Sequence, residues 1–218
     1  MTRISMVIFD CDGVLIDSEV LSMQVWQHLL AKQNISLETA FFQQHFLGRC
    51  FGHVKDMLAE QFQLTVTEQI KADFDEKLKI AFTERLQPVS GVEAVLSNLS
   101  VPYALATSSS RTRTSVALAA TGLNRYFSDP QIFTAGDVAR GKPAPDLFLH
   151  VAASAGQAPT HCLVIEDSAP GLQAAVSAGM HWRHFTGGSH LQQTDGKPSE
   201  TLANWHDFKV QFPELIKD

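Results

Sequence analysis

The groups in this chain that can do chemistry together are acids, hydroxyls and one lysine. Asp10 and Asp12 flank a cysteine in Phe9-Asp10-Cys11-Asp12-Gly13, and Glu166 and Asp167 are adjacent much later. Between them come the run Thr107-Ser108-Ser109-Ser110 and Lys142 in Gly141-Lys142-Pro143. Carboxylates with few nitrogen or sulfur donors among them suit a hard cation such as Mg²⁺. Hydroxyls, the backbone amides after Thr107 and an ammonium suit a phosphoryl group. Close carboxylates repel unless they share a cation or a proton, so a metal beside them keeps one ionised as a nucleophile. A carboxyl whose side chain stays off the metal is free to hold a proton and act as general acid. The set therefore suits phosphoryl transfer through an aspartyl phosphate, where the protein mostly positions groups and neutralises charge.

Such chemistry needs the groups to converge, and the hydrophobic pattern supplies the means. Met6 to Phe9 is a short apolar run ended by Asp10, the mark of a buried parallel strand. Tyr103 to Ala106 ends in Thr107, and Cys162 to Ile165 ends in Glu166-Asp167-Ser168. Ile132 to Thr134 and Met180 to Phe185 are further strands, with an edge strand at Thr201 to Trp205 and a helix at Phe208 to Ile216 broken by Pro213. Helical faces alternate with them: Val92, Val95, Leu96 and Leu99; Val116, Ala119, Ala120 and Leu123; Phe148, Val151, Ala152 and Ala155; Leu172, Ala175 and Val176. Alternating strands and helices imply a parallel sheet with right-handed crossovers, and ligands bind beyond the carboxyl ends of its strands. Asp10, Asp12, Thr107, Glu166 and Asp167 fall at those ends, and Lys142 joins from a loop.

The stretch after Gly13 breaks this alternation. Faces at Val20, Met23, Trp26 and Leu30, at Thr39 to Phe46, at Val54, Met57, Leu58 and Phe62, and at Ile70, Phe74, Leu78 and Phe82 are all helical. A helical block after a single strand is an insertion, because one strand makes no sheet. The expected architecture is α/β: a Rossmann-like parallel sheet core over residues 1–14 and 87–218, flanked by helices, with an inserted all-α cap domain over 15–86.

Composition narrows the setting. With 17 basic against 23 acidic residues and no basic run, the chain is a poor partner for nucleic acid or an anionic membrane. Its three cysteines lack C-x-x-C spacing and are odd in number, which argues against a disulfide framework and fits a reducing, cytoplasmic place. Met1 to Ile4 run straight into the first strand, leaving no room for a signal peptide, and no run approaches a membrane span. Oligomeric state stays open, and a monomer is compatible with everything above.

Four motifs in order carry a resemblance to a family. Phe9-Asp10-Cys11-Asp12-Gly13-Val14-Leu15, Ala104-Leu105-Ala106-Thr107, Gly141-Lys142-Pro143, and Val164-Ile165-Glu166-Asp167-Ser168 with Gly171 resemble those of the haloacid dehalogenase superfamily, in the branch with a small helical cap. The resemblance implies roles. Asp10 is the nucleophile, and Asp12 is the acid for the leaving alcohol and then the base for water. Thr107 and the Ser108 amide hold phosphate oxygens, and Lys142 neutralises Asp10 and the phosphate. Mg²⁺ is held by Asp10, the backbone carbonyl of Asp12 and Asp167, with Glu166 a ligand or an outer partner. The cap closes over the site and excludes water, and its loop Leu47-Gly48-Arg49-Cys50-Phe51 faces the substrate, with Arg49 and His53 as candidate grips.

Within that branch, Asp12 argues against the dehalogenases, which have no alkoxide to protonate. Lys32 and Lys55 do not sit in the context of the Schiff-base lysine of the phosphonate hydrolases. The chain is similar to β-phosphoglucomutases, but those carry a histidine where Ser22 stands, an arginine near Phe51 and a lysine where Ser110 stands. The expectation is a phosphatase of a small phosphorylated metabolite, a sugar or sugar-acid phosphate, with a hexose phosphate mutase as the alternative. A receiver domain, which also forms an aspartyl phosphate, places its acids in a different order and has no inserted helical block. A degenerate binding protein would have lost motif residues. Cys11 is assigned to packing, since strand alternation points it away from the acids. His181 and His184 are assigned no metal, for lack of nearby partners, and the serine run is assigned to phosphate binding or a helix N-cap.

Overall fold

The computed structural model describes residues 3–191 and 200–217. Its strands are β1 (Met6–Phe9), β2 (Tyr103–Thr107), β3 (Ile132–Thr134), β4 (Cys162–Glu166), β5 (His181–Phe185) and β6 (Thr201–Leu202). They form one sheet in the order β3-β2-β1-β4-β5-β6, and every pairing is parallel. Helices α1 (Glu19–Ala31), α2 (Thr39–His45), α3 (Phe51–Phe62) and α4 (Glu68–Arg85) follow β1. After them come α5 (Val92–Asn98), α6 (Arg111–Thr121), α7 (Asp146–Ser154), α8 (Ala169–Ser177) and α9 (Trp205–Gln211).

β1 is buried along its whole length because it lies between β2 and β4 and is covered on both faces. Val7 and Phe9 join an apolar cluster that also takes in α5, α6, α9 and the inserted helices. Met6 and Ile8 point the other way, into a cluster with α7 and α8. Fully burying a side chain such as Phe9 or Ile8 is worth about 1.5–3 kcal/mol.

The insertion leaves and re-enters through two adjacent linkers. Val89 N donates to Leu15 O at 2.9 Å, and Asp17 N donates to Gln87 O at 3.0 Å. Leu15 and Ile16, beside this crossing, are fully buried in the apolar cluster. Inside the inserted block Trp26 of α1 stacks on Phe74 of α4, with ring centroids 4.5 Å apart.

The C-terminal segment departs from expectation. Trp205 does not end an edge strand; it begins α9, whose N-terminus is capped by the Asn204 side chain accepting from Asp207 N at 3.1 Å. The helix ends at Gln211, and Pro213–Leu215 form a single 3-10 turn. Trp205 is 1% exposed, stacks on Phe185 at 4.8 Å and donates Nε1–H to Val14 O at 3.1 Å. Its aromatic character suits a strand as well as a helix, and the asparagine cap settles the choice.

Candidate active site

The strand order reverses between β1 and β4, and helices leave the sheet to opposite sides there, opening a crevice beyond those two ends. Asp10 follows β1 and Glu166-Asp167 end β4, so the crevice is lined by acids. One oxygen from each of Asp10, Glu166 and Asp167 lies within 4.8 Å of the others, and all three residues are buried. Lys142 reaches them from its loop: Nζ is 2.5 Å from Asp10 Oδ1 and 2.8 Å from Glu166 Oε2, and donates to Ala106 O at 2.9 Å.

Three buried acids face one buried ammonium. Burial, then Glu166, pushes Asp10 well above the usual carboxylate range despite Lys142. Burial and Glu166 do the same to Asp167. For Lys142, burial disfavours the charged form, but Asp10 and Glu166 outweigh it and hold its pKa above the ordinary value. Such a cluster lacks positive charge, and hard oxygen donors suit a divalent cation such as Mg²⁺. Glu166 already accepts from Lys142 and from the Ser168 amide and hydroxyl. Asp10 and Asp167 are therefore the freer donors.

Asp12 lives in the opposite environment. Its Oδ1 accepts from Ser18 Oγ at 2.5 Å and from an Arg113 Nη at 2.9 Å. Its Oδ2 accepts from Ser109 Oγ at 2.7 Å and from Thr107 Oγ1 at 3.4 Å. Burial alone would raise its pKa, but Arg113 and the two serine hydroxyls together bring it below the ordinary value. Two acids two residues apart are thus driven apart in protonation by their neighbours. Without substrate these neighbours favour the charged form of Asp12; the family resemblance has it protonated when it meets the leaving alkoxide.

A cavity of about 140 Å³ opens over these groups. Asp10, Asp12, Thr107, Ser108 and Arg49 all line it. Lys142, Glu166 and Asp167 stand off its wall and meet Asp10 from within the protein. His53, on α3, is half-buried and does not reach the wall. The inserted helices supply the roof, with Trp26, Phe51 and Phe74 as its apolar part and Arg49 and Lys71 as its cations. Ser108 Oγ donates to Gly48 O at 3.0 Å, tying the loop before α3 to the loop after β2. Gly48 has φ +68, and a Cβ there would lie 2.4 Å from Ser168 Cβ. Only glycine lets the roof approach so closely.

Sequence patterns missed four residues of this site. Arg113 is in the first turn of α6, after Ser110, whose side chain caps that helix by accepting from Arg113 N at 3.3 Å. Glu19 is 6% exposed in the first turn of α1 and lines the cavity; burial and the nearby Asp12 charge raise its pKa from 4.5 to about 8. Lys71, on α4, pairs with Asp75 and lies 5.1 Å over the Phe51 ring. His190 stands against Asp167. The one local signal for Arg113 and Glu19 was a charge on the first turn after a strand end or hinge. Cys11 is 1% exposed in the apolar cluster, as its packing assignment requires.

A family model described as haloacid dehalogenase-like hydrolase matches residues 4–179. The chain belongs to the haloacid dehalogenase-like hydrolases. It is 27% identical to the 6-phosphogluconate phosphatase of Escherichia coli K12 over all of this chain and 96% of that protein. It is 32% identical to hexitol phosphatase A of the same organism, over 80% of this chain and 79% of that one. Among solved structures, a putative β-phosphoglucomutase from Thermotoga maritima superposes with TM-score 0.74 at 25% identity, covering 98% of this chain and 100% of that chain. Among the described residues, no helix is long and apolar enough to cross a membrane.

Proposed function

We propose that this protein is a Mg²⁺-dependent phosphatase that hydrolyses a small phosphorylated metabolite, a sugar or sugar-acid phosphate. The observation that carries the reading is the buried cluster of Asp10, Lys142, Glu166 and Asp167 beneath a hydroxyl-lined cavity. A bound Mg²⁺ supplies charge neutralisation there, and Asp10, Asp167 and the Asp12 carbonyl would hold it. An Asp10 oxygen attacks phosphorus, the ester P–O bond breaks, and Asp12 delivers a proton to the leaving alkoxide. Water then attacks the phosphoaspartate with its proton passing to Asp12, which frees Asp10 and releases inorganic phosphate. Thr107 and the Ser108 amide hold the phosphoryl oxygens, and Lys142 balances the charge of Asp10.

The inserted helices act as the cap. Trp26, Phe51 and Phe74 suit the apolar face of a sugar, and Arg49 suits hydroxyls or a carboxylate. Both phosphatase relatives are named for compounds of this class. Ser22 and Ser110, which line the cavity, present short hydroxyls where the mutase pattern has histidine and lysine, so hydrolysis is preferred over phosphoryl return. The three free cysteines accord with work in a reducing, cytoplasmic setting.

A screen of phosphorylated metabolites with and without Mg²⁺, read as released phosphate, tests the reading. Asp10→Asn is expected to abolish turnover while leaving the melting temperature near that of wild type. Full phosphatase activity in that variant refutes the mechanism.

A further inference from the structure

Two histidines meet Asp167. His184, on β5, places Nε2 3.1 Å from the Asp167 backbone carbonyl. His190 comes from the stretch beyond β5, its side chain is 4% exposed, and its Nε2 lies 2.9 Å from Asp167 Oδ2. That pair is close but not aligned: among the described residues, Asp167 Oδ2 and both His190 ring nitrogens are buried without a hydrogen-bond partner. Leaving a buried polar group unpaired costs about 1–3 kcal/mol.

The ring is held where it is by its surroundings. A Cβ on Gly13 or on Gly188 would lie 2.6 Å from His190 Cε1, so two glycines make its slot. The backbone on either side is pinned to the entrance of the insertion. Ser189 N donates to Asp17 Oδ1 at 3.1 Å, and Gln43 Nε2 donates to His190 O at 2.7 Å.

We propose that His190 is a positioning residue for the divalent cation: its Nε2–H bonds the Asp167 oxygen that the cation leaves free and so fixes the carboxylate's orientation. The proposal rests on Asp10 and Asp167 being the holders of that cation. A carboxylate that gives one oxygen to a cation keeps a charged acceptor on the other, and here that acceptor is buried. The His190 ring already stands at hydrogen-bond distance from that acceptor, and its Nε2 has no other partner among the described residues. Partners of this kind are worth about 10–100-fold in metal affinity.

Isothermal titration of the full chain with Mg²⁺ alone tests this, using wild type, Asp167→Asn, His190→Ala, His190→Gln and His190→Asn. Melting temperatures without metal check that each variant is folded. Wild type is expected to bind and Asp167→Asn to lose binding. His190→Ala is expected to bind about 10–100-fold more weakly. His190→Gln, whose amide reaches as far as Nε2, recovers most of that loss, and the shorter His190→Asn does not. If His190→Ala fails to fold, the contrast between Gln and Asn decides. Wild-type affinity in His190→Ala, or equal affinity in the Gln and Asn variants, overturns the proposal. So does a far larger loss for Co²⁺ than for Mg²⁺ in those titrations, since that marks the ring as a direct ligand. If wild type takes up no Mg²⁺, or Asp167→Asn binds as well as wild type, the cation site itself is misassigned and the proposal falls with it.

Discussion

Glu19 makes the pH dependence of stability a direct probe of the cavity wall. The residue is 6% exposed, and burial, followed by the charge of Asp12, raises its pKa from 4.5 to about 8. Arg113 opposes the shift without cancelling it. Folding therefore favours the protonated form. The stability this contributes is fully present below pH 4.5 and is lost as pH rises through about 8. Each pH unit within the window is worth about 1.4 kcal/mol, so the whole span carries about 5 kcal/mol. Asp10 and Asp167 are also raised and act with the same sign, whereas Asp12 acts with the opposite one. Glu19→Gln isolates the one residue, because the amide keeps the shape and does not titrate. Urea unfolding with a chelator present, followed from about pH 5 to about pH 7.5, is expected to cost wild type about 3 kcal/mol more than Glu19→Gln. Parallel pH profiles for the two proteins refute the placement of Glu19 as a buried neutral acid.

Gly48→Ala forces a Cβ to within 2.4 Å of Ser168 Cβ at a φ of +68, so the loop lifts and the Ser108–Gly48 bond breaks. Left-handed backbone alone costs an alanine roughly 1–2 kcal/mol. KM for the metabolite is expected to rise about tenfold, and steady-state kinetics showing an unchanged KM would count against a closed roof. Arg113→Met removes the cation that lowers the Asp12 pKa, so that pKa rises and the alkaline limb of the kcat profile moves to higher pH. An alkaline limb in the wild-type position would mean that Asp12 is not the proton carrier.

The sheet and the acids at its edge were legible in the sequence because both signals are local. Met6 to Phe9, Tyr103 to Thr107 and Cys162 to Glu166 are short apolar runs that end on a polar residue, and a parallel sheet gives such ends one common edge. The helical insertion was legible for the same reason, its apolar spacing being three or four residues throughout. The C-terminal edge was not, because Trp205 suits either strand or helix and only the Asn204 cap separates the two.

What local pattern leaves out is how each group is charged. Asp10 and Asp12 are two residues apart and of one chemical type, yet one is raised by burial and Glu166 while the other is lowered by Arg113 and serines. Apart from Ser18 at the start of α1, those neighbours lie on β4, α6 and the loop after β2, more than 90 residues away. Likewise Glu19 looks like a helix-start acid and Lys71 like a solvated helix cation until the insertion folds down onto the sheet edge. The sequence by itself determined which residues reach that edge. The tertiary structure decided which way each pKa is pushed, which groups line the cavity and which, like His190, stand behind them, because desolvation and Coulomb interactions depend on distance through space.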